Sequence, residues 1–201
     1  MKILKVNPQK PQKLIIKQAV EVLKRGGVLI YPTDTCYGMG ADITNPIAVD
    51  KIYKIKGREE GKPLSVIVKD FAQIKKMSEV DAEKEKVLKK YLPGPFTFVL
   101  LNLDYKTFPQ NTVGFRIPKY KITQMIASEI DFPYATTSAN LTAKDVCYTV
   151  NEIIKQFKNN KYQPNLLLDA GELNKNLPST VVSMISMPPK ILRQGSAKFK
   201  A

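Results

Sequence analysis

Three short segments of the chain put ligand-holding groups where a strand or helix should end. In Tyr31-Pro32-Thr33-Asp34-Thr35-Cys36-Tyr37-Gly38-Met39-Gly40, hydroxyls, a carboxylate and two glycines follow a short apolar run. A strand end of this kind presents polar groups to a small molecule, or it is a turn closed by its own Thr and Asp side chains. In Lys56-Gly57-Arg58, followed by Lys62-Pro63-Leu64-Ser65, two cations flank a glycine. Such cations satisfy the last carbonyls and dipole of a helix, or leave a helix broken at Gly57 and converge on an anion. In Ala135-Thr136-Thr137-Ser138-Ala139-Asn140, Ser138 and Asn140 share one face of a continuing strand. Both can bond sugar or phosphate oxygens, or one of them caps a helix.

Arginine usage adds to this. Only four of the 32 cationic residues are arginines (Arg25, Arg58, Arg116 and Arg193), so arginine marks places where a planar two-pronged donor is wanted. Arg58, Arg116 and Arg193 fall at element ends or inside short strands, whereas Arg25 reads as surface. The chain has no histidine, which excludes Ser-His-Asp and Cys-His nucleophiles, His-ligated zinc and an imidazole proton shuttle. What remains is chemistry by positioning, cations, hydroxyls, carboxylates and a hard metal ion, which favours phosphate chemistry over acyl hydrolysis. There is no Gly-x-x-x-x-Gly-Lys-Ser/Thr loop and no Gly-x-Gly-x-x-Gly, which argues against a P-loop or Rossmann nucleotide site.

The charge of +14 and pI near 9.6 attract polyanions. A genome-wide lysine bias accounts for it equally well, and the basic stretches lack the interleaved aromatics of a single-strand platform. Two cysteines cannot build a disulfide framework or a Cys-only zinc site. The start lacks the apolar core of a secretory signal, and no run reaches the ~18 apolar residues of a membrane span. The expected setting is a reducing cytoplasm.

The elements that must position these groups alternate along the chain. Helices are expected over 12–25, from the Asn45 cap with Pro46 at its first turn, over 78–91, and from the Thr149/Glu152 capping box to about 160. Strands are expected over 28–31, 64–68, 96–101, 113–117, 134–137, 166–168, 180–182 and 191–192. Consecutive strands without a helical crossover imply some antiparallel pairing. At roughly 150 residues per domain, residues 1–201 read as one α/β domain around a twisted mixed parallel/antiparallel sheet with helices on both faces.

Taken together the segments resemble the YrdC-like family of threonylcarbamoyl-AMP synthases. The matching text is Gly26-Gly27-Val28 through Pro32-Thr33-Asp34-Thr35 and Tyr37-Gly38, then Lys56-Gly57-Arg58 with Lys62-Pro63-Leu64-Ser65. It continues through Pro93-Gly94-Pro95-Phe96-Thr97, Val113-Gly114-Phe115-Arg116-Ile117-Pro118, Thr137-Ser138-Ala139-Asn140, Ser179-Thr180-Val181-Val182 and Leu192-Arg193. These blocks run in family order over about 12–196. The resemblance implies an open twisted mixed parallel/antiparallel sheet with helices on both faces and a central concave cavity, in a short, single-domain nucleotidyltransferase that condenses L-threonine, bicarbonate and ATP to threonylcarbamoyl-AMP and pyrophosphate. The product would serve modification of adenosine 37 in tRNAs reading ANN codons, through a downstream threonylcarbamoyl transferase complex and with possible tRNA contact.

By the same resemblance Lys56 and Arg58 are catalytic, and Lys56, Arg58, Lys62, Thr112, Ser138, Asn140 and Arg193 bind ATP. Thr33, Thr35, Ser65, Arg116, Thr136 and Ser179 would bind L-threonine. Mg2+ would arrive with ATP, held by phosphate oxygens and water rather than by protein side chains. The chain departs from the family pattern after Asn140, where Leu141-Thr142-Ala143-Lys144-Asp145 replaces a glycine-containing turn. The rival reading is a basic double-stranded RNA- or tRNA-binding module without synthase activity.

Overall fold

The computed structural model describes residues 1–108 and 110–200. Its first half runs β1 (Lys2–Lys5), α1 (Lys13–Lys24), β2 (Leu29–Tyr31), β3 (Gly38–Gly40), α2 (Pro46–Lys56), β4 (Ser65–Ile67), α3 (Phe71–Met77) and α4 (Ala82–Tyr91). The second half runs β5 (Phe96–Leu101), β6 (Thr112–Arg116), α5 (Lys121–Ser128), β7 (Tyr134–Ser138), α6 (Val150–Phe157), β8 (Leu166–Asp169), β9 (Thr180–Ser183) and β10 (Lys190–Arg193).

Local chemistry explains where the helices begin and end. Asn45 accepts from the Ile47 and Ala48 amides, with Pro46 opening α2 where no amide donor is needed. Gly57 closes α2 at φ 59°, and the Arg58 amide reaches back to the Tyr53 carbonyl. Thr149 and Glu152 form the expected reciprocal cap of α6.

Among the described residues ten strands form one sheet in the order β1-β8-β2-β3-β7-β4-β6-β5-β9-β10. Four pairs are parallel (β1/β8, β2/β8, β4/β6, β5/β9) and the other five in this order are antiparallel, so the mixed sheet expected from the short connections is present. Side-chain alternation sorts the β2 half onto two faces. Leu29, Tyr31, Leu166 and Leu168 pack with α1 and α5, while Val28, Ile30 and Leu167 pack with α2 and α6. On the β4-β6-β5-β9 half one face is apolar throughout, with Val66, Phe98, Leu100, Phe115 and Val182 packing on α3 and α4, while on the other face Ile67 packs with α5. The alternate residues Ser65, Thr97, Gly114 and Arg116 are small or polar and meet no helix core. Helices on both faces therefore hold for half the sheet; the bare face of the other half is the concavity.

Four elements had no sequence expectation. β3 reads Gly-Met-Gly, without strand propensity, and exists because β2 and β7 bond it from both sides. β1 is a Lys-bounded edge held by β8 alone. α5 has no side-chain cap to announce it, and α3 is seven residues long. The helix expected over 78–91 starts later, at Ala82: Ser78 closes the preceding α3, and Asp81, accepting from the Lys84 amide, begins α4.

Candidate functional site

A cavity of about 280 Å3 opens on the bare face. It is lined by Thr33, Thr35 and Arg58, by Ser65, Arg116, Thr136 and Ser138, and by Ser179 and Arg193, residues from every segment singled out above. Thr97, Thr137 and Val146 join them without having been anticipated. For Thr97 a signal existed: one hydroxyl alternating between Phe96 and Phe98 must face away from the core. Three guanidiniums line this cavity, and among its described lining residues there is no carboxylate.

Each guanidinium is aimed by a partner. One Arg116 amino group bonds Asp34 Oδ1 at 3.2 Å and Thr35 Oγ1 at 3.4 Å, while Asp34 Oδ2 accepts from the Lys119 amide at 2.8 Å. Arg193 bonds the Ser179 carbonyl through both Nε (3.3 Å) and an amino group (2.8 Å). Ser179 Oγ lies 2.8 Å from Thr97 Oγ1. Burial and the nearby Arg116 charge push the Arg193 guanidinium down from its ordinary range. Arg58 reaches the Pro63 carbonyl at 3.2 Å from the loop after Gly57.

The Thr33-Thr35 turn combines both readings of its segment. Thr33 Oγ1 donates to the Cys36 carbonyl (2.7 Å) and accepts from the Thr35 amide (3.1 Å), closing the turn, and both hydroxyls line the cavity.

The remaining candidates lie outside the lining. The Lys56 ammonium is buried and donates to the carbonyls of Ser138 (2.6 Å) and Asn140 (2.7 Å), so its strong donors are already committed. Burial, then the Arg58 charge, draws it down to about 8. Asn140 is likewise turned inward, donating to the Leu141 and Lys144 carbonyls. These two residues brace the loop that presents Ser138. Lys62 is exposed and paired with Glu59 at 2.9 Å. Thr112 is in phase with Gly114 and Arg116 but two residues farther along β6, beyond the cavity. Among the described residues no group of three or more His, Cys, Asp or Glu could hold a metal ion.

The family model labelled Sua5/YciO/YrdC, described as "Telomere recombination", matches residues 21–195. The chain belongs to the Sua5/YciO/YrdC family. Among its relatives is a Methanocaldococcus jannaschii protein named "Putative threonylcarbamoyl-AMP synthase", 33% identical over 92% of this chain and 86% of its own length. The structure of Pyrococcus abyssi Sua5 complexed with L-threonine superposes with a TM-score of 0.88 at 28% identity. That superposition covers 97% of this chain and 58% of the Sua5 chain, so this chain spans less than two thirds of that relative. Escherichia coli YciO, named as uncharacterized, superposes with a TM-score of 0.87 at 26% identity over 98% of both chains. The Sua5/YciO/YrdC assignment thus fits the α/β fold and the order of the sequence blocks. No helix among the described residues is long and apolar enough to cross a membrane.

Proposed function

We propose that the protein is an L-threonylcarbamoyladenylate synthase acting on L-threonine, bicarbonate and ATP. The observation that carries this reading is the gathering of Arg58, Arg116 and Arg193, far apart in sequence, around one hydroxyl-lined cavity with no carboxylate among its described lining residues. Such a cavity suits a ligand with several negative charges and hydrogen-bond acceptors. It also suits a reaction without a histidine base. The threonine amine first takes up CO2 or bicarbonate as a carbamate; a carbamate oxygen then attacks the α-phosphorus in line and pyrophosphate leaves. Holding the reactants together and stabilising phosphoryl charge supply the catalysis.

In this reading Arg116, set by Asp34, grips the amino-acid carboxylate among Thr33, Thr35, Ser65, Thr136 and Ser179. Arg58, Ser138 and Arg193 face the nucleotide. Lys56 and Asn140 act by holding the Ser138 loop, and Lys62 and Thr112 are left without a direct contact. Mg2+ enters as part of the ATP substrate, because the lining offers hydroxyls and guanidiniums rather than carboxylates. The product would feed tRNA threonylcarbamoylation through a transferase complex. A reducing cytoplasm fits the two buried free thiols, Cys36 and Cys147. A site of about 280 Å3 favours small molecules over the RNA backbone of the rival reading.

The test is pyrophosphate release by purified protein with Mg2+, omitting L-threonine, bicarbonate and ATP in turn. The expected result is release only with all three present, lost in Arg58→Ala and Arg116→Ala. Release independent of threonine, or none above background, overturns the reading.

A further inference from the structure

Tyr31, the last residue of β2, is completely buried, and its hydroxyl needs a partner because an unmet buried polar group costs about 1–3 kcal/mol. It donates to Thr136 Oγ1 at 2.7 Å. The two residues are not on neighbouring strands, since β3 lies between β2 and β7. The phenol ring passes across β3 in a slot that two glycines leave open. A Cβ at Gly38 would stand 2.9 Å from Tyr31 Cε2, and one at Gly40 would stand 3.1 Å from Cε1. The Tyr134 ring meets Tyr31 edge-on at 5.4 Å between centroids. The Gly-x-Gly of β3 is thus a passage for one aromatic ring.

The passage fixes a proton. Burial raises the phenol well above its ordinary range, so it stays a donor. Among the described residues Thr136 is its acceptor, so the Thr136 proton cannot point back at Tyr31. That proton has no protein acceptor among the described residues, and Thr136 lines the cavity. Arg116 lines the same cavity.

We propose that Tyr31 is a positioning residue that fixes Thr136 as a hydrogen-bond donor into the cavity that Arg116 also lines, for the carboxylate of the amino-acid substrate. This rests on the functional reading above and adds to it a direction for one hydrogen bond and the residue that sets it. Pyrophosphate, the leaving part of the nucleotide that the reading places with Arg58, Ser138 and Arg193, is the built-in control.

The experiment is calorimetric titration of L-threonine and, separately, pyrophosphate into wild type, Tyr31→Phe, Thr136→Val and the double variant. Both substitutions conserve shape. Tyr31→Phe is expected to weaken L-threonine by about three- to tenfold, the value of one net hydrogen bond, with pyrophosphate unchanged. The double variant is expected to match Thr136→Val alone, because Tyr31 acts only through that hydroxyl. Unchanged L-threonine affinity with a lowered melting temperature makes Tyr31 merely structural and overturns the proposal. So do additive losses, or equal losses for both ligands. A wild type that binds no L-threonine overturns the functional reading itself, and the proposal with it.

Discussion

The Arg116 guanidinium meets the Asp34 carboxylate at 3.2 Å with the two side chains only 11% and 10% exposed, and the other carboxylate oxygen is taken by the Lys119 amide. Asp34 therefore supplies the negative charge that lets Arg116 be buried at the floor of a cationic cavity. Removing one partner of such a pair leaves a buried charge uncompensated, which costs about 3 kcal/mol or more. Asp34→Ala is expected to lose about that much in urea unfolding, and Asp34→Asn less, since the amide oxygen still accepts. The amino-acid carboxylate that the proposed function places at Arg116 stands in for the lost one, so L-threonine should raise the melting temperature of Asp34→Ala more than that of wild type. An equal rise would mean that Asp34 is not the counter-ion.

Lys56 gives a pH signature with an unusual sign. Its folded value of about 8 lies below its ordinary 10.5, so the folded chain releases this proton first. Between those values the unfolded chain binds more protons, and this group's contribution to stability rises with pH. Wild-type stability minus that of Lys56→Met is expected to be larger near pH 10 than near pH 7, measured by urea unfolding. Anion binding runs the other way: the charge beside Arg58 disappears as pH passes about 8, so pyrophosphate affinity falls there in wild type and not in Lys56→Met. Parallel profiles for the two proteins would contradict this.

The loop after β7 carries a strained residue that the sequence already marked as a departure. Ala143 sits at φ 62°, a region that disfavours residues with a Cβ. Glycine relieves this at some cost in unfolded-state entropy. Ala143→Gly should therefore raise stability by about 0.5–1 kcal/mol with an unchanged denaturant slope. Asn140 ties both sides of this turn through the Leu141 and Lys144 carbonyls, so the substitution leaves the Ser138 end in place and ligand affinity unaltered. A loss of stability would mean that the alanine methyl makes a contact worth more than the strain.

What could be read without coordinates was the chemistry of element ends. Arginine in a lysine-rich chain pointed at three positions, and Arg58, Arg116 and Arg193 share one cavity, while Arg25 is exposed beside Glu21. The Asn45 and Thr149 caps set their helices where side-chain chemistry alone places them. What could not be read depended on register and on contacts across long sequence separations. Lys56 looks like a free cation in sequence, but its ammonium is bound by carbonyls more than 80 positions away. Thr112 has the right phase on β6 and the wrong distance along it. β3 and the Tyr31 passage exist only because β2 and β7 flank a Gly-Met-Gly segment that no propensity would make a strand.

Glycines in the sheet separate the fold from the site. A Cβ at Gly114 would stand 2.9 Å from Ser65 Oγ and 3.1 Å from Thr97 Cγ2, both side-chain atoms of residues lining the cavity. Those atoms can turn aside into the open space, so Gly114→Ala should fold while narrowing the floor, with ligand affinity reduced by about tenfold for an overpacking cost of about 1.4 kcal/mol. A Cβ at Gly40 would instead stand 2.3 Å from the Ala135 carbonyl oxygen, a backbone atom fixed between β3 and β7. Gly40→Ala is expected to lose about 3 kcal/mol or more of stability. Urea unfolding and ligand titration of both variants check the distinction. If Gly114→Ala binds like wild type, the floor between Ser65 and Thr97 is not where the ligand rests.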